Sequence, residues 1–229
     1  GDLEEAIIHC RYVLTIYPKH IDTYRLLGKA FLEGQRYSDA ADVFQRVLSS
    51  VPDDYISHIG MSLIREDEAN IEAAIYHMER AAEVQPANQA IQAEQRRLYG
   101  RRDRVEPSTV GLTRGALARM YYNGELYSQA ITELRAALAD EPQRSDLRLL
   151  LANTYHKSAR DVDAADACSS ILSKLPFCLE ANLLLAEILS DSKRAEESKI
   201  YYQRVYELDP YAEYINKTNP SPTSVPEKS

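Results

Sequence analysis

Small and apolar residues recur at fixed distances before six of the ten prolines. These prolines are Pro18, Pro52, Pro86, Pro142, Pro176 and Pro210. The steps between them are 34, 34, 56, 34 and 34 residues. The positions twelve, eight and five residues before each proline hold small or apolar residues, such as Ala40, Phe44 and Val47 before Pro52. Spacings of four and three residues put such side chains on one face of an α-helix, and a fixed period of this length predicts stacked helical units.

Each unit carries a second apolar face upstream of the first. In the best-defined unit it consists of Tyr24, Leu27, Gly28 and Phe31, and later units repeat it with Leu117, Ala118 and Tyr121 and with Leu151, Ala152 and Tyr155. Turn signals separate the two faces, at 34–36 and at 123–125. The proline follows the second face, where it blocks continuation of a helix. Every unit is therefore predicted to be two helices joined by a turn.

These positions resemble the tetratricopeptide repeat family over residues 1–86 and 111–210. The residues that carry the resemblance run Tyr24, Leu27, Gly28, Phe31, Ala40, Phe44, Val47 and Pro52. The departures are Tyr24, where the family favours tryptophan, and Ser198, where it favours alanine. The resemblance implies an all-α, right-handed solenoid of stacked 34-residue helix-turn-helix units.

The spacing also predicts how the chain is divided. We expect an incomplete unit with only its second helix over 1–20, two units over 21–88, an extra helix with an arginine-rich loop over 89–110, three units over 111–212, and a Pro/Ser-rich tail or linker over 213–229. The long step is explained either by an inserted helix and loop or by a degenerate unit that lost its second helix. The incomplete first unit suggests a fragment of a longer protein with further repeats upstream.

In this family the first helices line a concave groove, and the repeat register selects the side chains that face it. The predicted groove residues that suit a peptide partner are Arg25, Lys29, Arg97, Arg119, Tyr122, Asn153 and His156. A mixture of bases, aliphatic groups and amides suits an extended peptide or a helix, since arginine pairs with carboxylates. The alternative is that these are ordinary solvated residues of a helix surface.

The densest run of charge is an arginine cluster at the end of the predicted extra helix. It consists of Arg96, Arg97, Arg101, Arg102 and Arg104, interrupted by Asp103. Such a basic patch can hold an acidic protein segment, a phosphate or RNA, or it can simply keep the loop solvated.

Composition and charge narrow the remaining choices. Apolar residues make up 45% and charged residues 27%, and 35 acids against 27 bases give a net charge of −8. A net-negative chain makes nucleic acid an unlikely general partner. No stretch approaches the ~20 apolar residues of a membrane helix, and the acidic start does not resemble a signal peptide, so a cytoplasmic location without membrane insertion is expected. No metal-ligand spacing, cofactor motif or catalytic motif is present, so neither a cofactor nor an enzymatic activity is expected.

The sequence therefore predicts a non-catalytic scaffold or adaptor that binds a peptide or helix of a partner in its concave groove. One alternative is a substrate-recruiting docking module of a larger multidomain enzyme or regulator. Another is an RNA-binding helical repeat that uses the patch between Arg96 and Arg104. The chain is expected to be a monomer or part of a larger assembly, with self-association through an exposed first helix as a further alternative.

Overall fold

The computed structural model describes residues 3–191 and 194–211, and within these ranges the regular elements are twelve α-helices. The helices are α1 (Leu3–Ile16), α2 (Ile21–Glu33), α3 (Tyr37–Ser50), α4 (Tyr55–Asp67), α5 (Ile71–Val84), α6 (Gln89–Asp103), α7 (Arg114–Asn123), α8 (Tyr127–Asp140), α9 (Ser145–Lys157), α10 (Asp161–Leu172), α11 (Leu179–Ser190) and α12 (Ala195–Leu208). The predicted tail at 213–229 lies outside the described residues.

Consecutive helices pack in pairs, and the pairs stack. The pairs are α2 with α3, α4 with α5, α7 with α8, α9 with α10, and α11 with α12. The second helix of a pair also packs on the first helix of the next pair, and α1 packs on α2 in the same way. The prediction of an all-α helical repeat solenoid is confirmed.

The aromatic ring of Phe44 shows why small residues recur in the first helices. Phe44 is fully buried between α2 and α4. A Cβ atom at Gly28 would come within 2.6 Å of this ring, and one at Gly60 would come within 2.3 Å. Both distances are far below van der Waals contact, so only glycine lets the two helices approach the ring this closely.

The turns inside four of the units, those between α2 and α3, α4 and α5, α7 and α8, and α9 and α10, share one backbone shape that does not depend on glycine. The left-handed residue is Gln35 in the first complete unit, and Ala69, Glu125 and Ala159 take the same conformation, with φ between 56° and 59°. Gly34 and Gly124 each lie one position earlier, with negative φ. The two glycines therefore indicate the position of the turn in the sequence, but the residue after each glycine adopts the left-handed conformation.

Helix α6 interrupts the regular pairing. Asn88 caps its start, since the Asn88 side chain accepts hydrogen bonds from the backbone N–H groups of Ala90 and Ile91. Helix α6 ends at Arg104, which is left-handed, and α7 follows after an irregular stretch at 104–113. Helix α5 packs against both α6 and α7, so α6 occupies a first-helix place without a second helix of its own.

The solenoid folds back on itself at this interruption. We call residues 3–103 the N-terminal lobe and residues 114–211 the C-terminal lobe. The Lys19 ammonium lies 2.6 Å from the Glu207 carboxylate, and the rings of Tyr17 and Tyr211 meet edge to face at 5.4 Å. One apolar cluster combines residues of both lobes, namely Ile21, Val47, Val51, Leu179, Leu183, Val205 and Leu208. The first complete unit therefore contacts the last one.

Candidate binding surfaces

The N-terminal lobe has an open groove on its first-helix side. We call it the N-terminal groove, and its lining residues are Leu32, Tyr37, Leu63, Glu66, Asp67 and Arg101. Leu63 is 39% exposed in this groove. Lys29, one of the predicted groove residues, is exposed on the neighbouring helix α2 and makes no ion pair within the described residues. This groove offers an apolar centre with both signs of charge around it.

The predicted groove residue Arg25 is committed to internal contacts. Its Nε atom donates to the Asp54 carboxylate at 2.6 Å, and its guanidinium also pairs with Asp22. Asp54 in turn caps helix α4 by accepting a hydrogen bond from the backbone of Ser57. Arg25 therefore fixes the turn between two units rather than presenting a free charge.

Glu66 of helix α4 pairs with two arginines of the cluster. Arg97 donates to Glu66 at 2.5 Å, and Arg101 pairs with the same carboxylate. Hydrogen bonds from Arg97 and Arg101 hold the pKa of Glu66 below its usual value. Glu66 lies 31 and 35 residues away from these two partners, so the local sequence around the arginine cluster does not reveal it.

The other three arginines of the cluster differ in their surroundings. Arg102 pairs with its neighbour Asp103 at 2.7 Å, and Arg96 lies 3.9 Å from Glu106. Arg104 is exposed at the end of α6. The cluster is therefore a series of ion pairs that is followed by the exposed Arg104.

The concave side of the C-terminal lobe faces the N-terminal lobe. Arg119 of α7 donates to Asp53 at 3.2 Å, and Asp53 belongs to the turn between α3 and α4. Asn153 of α9 donates to Glu180 of α11 at 2.9 Å. Leu183 is only 9% exposed, within the apolar cluster shared by the lobes. We call Arg119, Asn153, Glu180 and Leu183 the C-terminal groove.

Two further predicted groove residues lie on the same helices as Arg119 and Asn153. The ring of Tyr122 is half-buried 6.1 Å from that of Tyr127, and burial raises the pKa of the Tyr122 hydroxyl. His156 Nδ1 donates to the Asp161 carboxylate at 2.7 Å. Of the seven predicted residues, Arg25, Lys29 and Arg97 thus belong to the N-terminal lobe, and Arg119, Tyr122, Asn153 and His156 belong to the C-terminal lobe.

A second polar contact joins the lobes beside α5. The Arg144 guanidinium donates to Glu83 at 2.5 Å and to Asp146 at 2.6 Å, and all three side chains are largely buried. Arg80 of α5 donates to Glu141 at 2.8 Å. These contacts place the turn between α8 and α9 of the C-terminal lobe against the N-terminal lobe.

A pair of histidines supports the turn between α3 and α4. His58 Nε2 donates to the Pro52 carbonyl at 3.1 Å, so His58 Nδ1 accepts from His77 Nδ1 at 3.0 Å. Burial lowers the pKa of both rings, and that of His77 falls to about 3. Both rings are therefore neutral near pH 7. Because the unfolded rings titrate near 6.5, their contribution to stability is lost as the pH falls from there towards 3.

Glu180 lies at the lobe interface, and its pKa is raised, whereas the pKa values of the two histidines are lowered. Burial and the nearby Asp53 carboxylate raise the pKa of Glu180 to about 7, against the opposing effects of Asn153 and Arg119. The folded protein therefore binds a proton at Glu180 more tightly than the unfolded chain, which titrates near 4.5. Stability from this group is full below pH 4.5 and is lost as the pH rises to 7.

We expect Glu180→Gln to remove this pH dependence. Glutamine resembles the protonated acid and still accepts the hydrogen bond from Asn153. In urea denaturation between pH 5 and 8, the free energy of unfolding of the wild type should fall relative to that of the variant by on the order of 2 kcal/mol. The difference between the two proteins is the readout, since the histidine pair acts with the opposite sign below pH 6.5. The exposed Glu72→Gln is the control, and parallel pH profiles for wild type and Glu180→Gln would contradict the assignment.

The described residues contain neither a cluster of metal ligands nor a helix that could span a membrane. At no place in the described ranges do three or more His, Cys, Asp or Glu side chains gather as ligands for a metal ion. None of the helices in the described part of the chain has the length and apolar character needed to cross a membrane.

The likeness to solved structures concerns the fold alone. A crystal structure of MamA is 14% identical, with 79% of this chain and 93% of that chain covered and a TM-score of 0.39. Cut9 in the APC/C hetero-tetramer Cut9-Hcn1 is 15% identical over 92% of this chain and 44% of that chain, with a TM-score of 0.45. The TPR domain of P58(IPK) is 14% identical over 94% of this chain and 58% of that chain, with a TM-score of 0.44. No curated protein matches the sequence.

Family models describe the sequence more directly. One model for the tetratricopeptide repeat matches residues 25–91 and 116–177, and a second matches 179–211. The first alone covers more than half of the chain. Tetratricopeptide repeats are in general non-catalytic protein-interaction scaffolds, which supports that role here in broad terms. The chain belongs to the tetratricopeptide repeat family.

Proposed function

We propose that this protein is an adaptor whose N-terminal groove binds a peptide or a helix of a partner protein. The observation that carries the proposal is the contrast between the lobes. The N-terminal groove is open to solvent around Leu63, whereas the turns of the same chain lie against the C-terminal groove. A rigid, concave, partly apolar surface with polar rims suits recognition of an extended segment or an amphipathic helix.

The charges around the N-terminal groove indicate the character of the partner. Lys29 is an exposed cation for which the described residues supply no ion pair, and Arg101 pairs with Glu66. Asp67 of α4 also lines the groove. A partner segment matches this arrangement when one of its apolar residues contacts Leu63 and one of its acidic residues pairs with Lys29.

The nucleic-acid alternative finds less support in the arginine cluster. Phosphate binding depends on cations that are free to replace counterions. Arg97, Arg101 and Arg102 already pair with carboxylates of this chain, so each would have to exchange an existing partner. The proposal therefore favours a protein partner.

Selection from a peptide library displayed on phage tests the N-terminal groove directly. Selected peptides are then measured by fluorescence polarisation against the wild type, Leu63→Glu and Lys29→Glu. The control is Val162→Glu on α10, where Val162 is 79% exposed and distant from the groove in the chain. Loss of the apolar anchor should weaken binding at least about tenfold, with the control unchanged. If the selected peptides bind Leu63→Glu as tightly as they bind the wild type, the N-terminal groove is not their binding site.

A further inference from the structure

A cavity lies beside the irregular stretch that interrupts the repeats. Its volume is about 170 Å³, and we call it the α6 cavity. Its walls come from α5, from α6, from the stretch that precedes α7 and from the first turn of α7. A cavity of about 150 Å³ holds a benzene molecule, so the α6 cavity suits a molecule slightly larger than benzene.

One wall of the α6 cavity carries two carboxylates, those of Glu79 and Glu83 on α5. Within the described residues, each of their four oxygen atoms accepts a single hydrogen bond. A carboxylate offers about four acceptor sites, so about two sites remain on each of these groups. The wall can therefore accept further hydrogen bonds from a ligand.

The ion pairs behind this wall leave an excess of negative charge. The connected network consists of Glu79, Glu83, Glu141, Asp146, Arg80 and Arg144. Four carboxylates against two guanidinium groups give it a formal charge of −2. Neither Arg80 nor Arg144 lines the cavity. An ammonium group in the cavity would therefore meet spare acceptor sites and a favourable field.

Arg96 of α6 supplies a cation to the same cavity. The carboxylate of Glu106 lies 3.9 Å from its guanidinium, which is too far for a hydrogen bond, and no other described residue pairs with it. A guanidinium with free N–H groups can bind a carboxylate through two parallel hydrogen bonds. The α6 cavity thus combines an acidic wall with an available guanidinium.

The stretch over residues 105–112 contributes apolar side chains and open backbone groups. Val110 lines the cavity together with Ala82 of α5 and Ala116 of α7. Within the described residues, no backbone N–H or carbonyl group of 105–112 makes a hydrogen bond. In a second helix these groups would bond to one another, whereas here they remain for water or for a ligand.

We infer that the α6 cavity binds a small free α-amino acid with a short aliphatic side chain. The ammonium group of this ligand takes the spare acceptor sites of Glu79 and Glu83, and its carboxylate pairs with Arg96. Its side chain lies against the apolar residues of the cavity. The α6 cavity shares no lining residue with the N-terminal groove, so the inference goes beyond the proposed adaptor function and is independent of it.

Isothermal titration calorimetry with L-alanine, L-valine and L-leucine tests the inference. At least one of them should bind with a Kd below about 1 mM, and its binding should shift the amide NMR signals of 79–83 and 108–113. Isobutylamine lacks the carboxylate, isobutyrate lacks the ammonium group, and the peptide Val-Gly-Gly carries its carboxylate elsewhere. Each of these three should bind at least about tenfold more weakly than the best amino acid. Equal binding of isobutylamine or of the peptide, or no binding of any amino acid, would overturn the inference.

Two variants place the ligand in the α6 cavity. Arg96→Gln removes the partner of the carboxylate and should weaken binding at least about tenfold, whereas the matched Arg104→Gln, which changes an exposed arginine outside the cavity, should leave binding unchanged. Ala82→Leu fills part of the cavity without changing any charge and should abolish binding. Circular dichroism checks that each variant is folded. Binding as tight as that of the wild type by folded Arg96→Gln or folded Ala82→Leu would contradict the assignment of the α6 cavity.

Discussion

Phe44→Ala should destabilise the protein by about 3–5 kcal/mol, the range for removing a fully buried aromatic ring. The ring fills the space that Gly28 and Gly60 leave between α2 and α4, so its loss leaves a cavity that the helices cannot close without shifting. Urea denaturation followed by circular dichroism measures the loss. The exposed Tyr12→Ala on α1 is the control and should leave the transition close to that of the wild type.

A double-mutant cycle with Gly60 tests the reason for this effect. Gly60→Ala alone should destabilise, because the new Cβ atom would come within 2.3 Å of the Phe44 ring. In the Phe44→Ala background the ring is gone, and alanine should be neutral or better than glycine by up to about 1 kcal/mol in a helix. Additive effects of the two substitutions would show that the close approach to the Phe44 ring does not explain why alanine is unfavourable at position 60.

Arg144→Ala should be equally damaging, at about 3–5 kcal/mol, because it leaves buried carboxylates without their partner. Arg144 is 2% exposed, and it donates to Glu83 in the other lobe and to Asp146 in its own. Burial would raise the pKa of Asp146, but the hydrogen bond and charge of Arg144 hold it below its usual value. The free energy of unfolding at pH 7.5 is the primary measurement.

The pH dependence of the Arg144→Ala defect distinguishes lost charge pairing from lost packing. Without the guanidinium, the carboxylate of Asp146 should take up protons more readily, so the defect should shrink as the pH falls from about 7 to 4.5. Arg65→Ala, which removes a partly exposed pair with Glu68, is the control and should cost less than about 1 kcal/mol. A defect of the same size at both pH values would point to packing alone.

The repeat period predicted the helices well because the contacts behind it are local. Ala40, Phe44 and Val47 lie on one face of one helix, and their partners Gly28 and Gly60 lie within a single repeat length. Position along the helix therefore specifies burial directly. The same register also selected Lys29 for an exposed surface position, as the structure shows.

The fold-back could not be predicted in this way. Arg119 meets Asp53 across 66 residues, Arg144 meets Glu83 across 61, and Lys19 meets Glu207 across 188. Each of these residues occupies an ordinary polar position of its own helix or turn, and nothing in the local pattern identifies its partner. The register therefore selected Arg119 and Asn153 as groove residues without revealing that the groove faces another part of the same chain.

The contact between Lys19 and Glu207 has a consequence for how such a chain can change in length. A linear array of repeats tolerates the gain or loss of a unit, because each unit touches only its neighbours. Here the turn before the first complete unit and the end of the last unit must meet at a fixed separation, as Tyr17 and Tyr211 do. Inserting or deleting one helix pair between them would rotate the two ends past each other. The contact between the two ends therefore fixes the number of units that lie between these residues, as closure of a barrel fixes its number of strands.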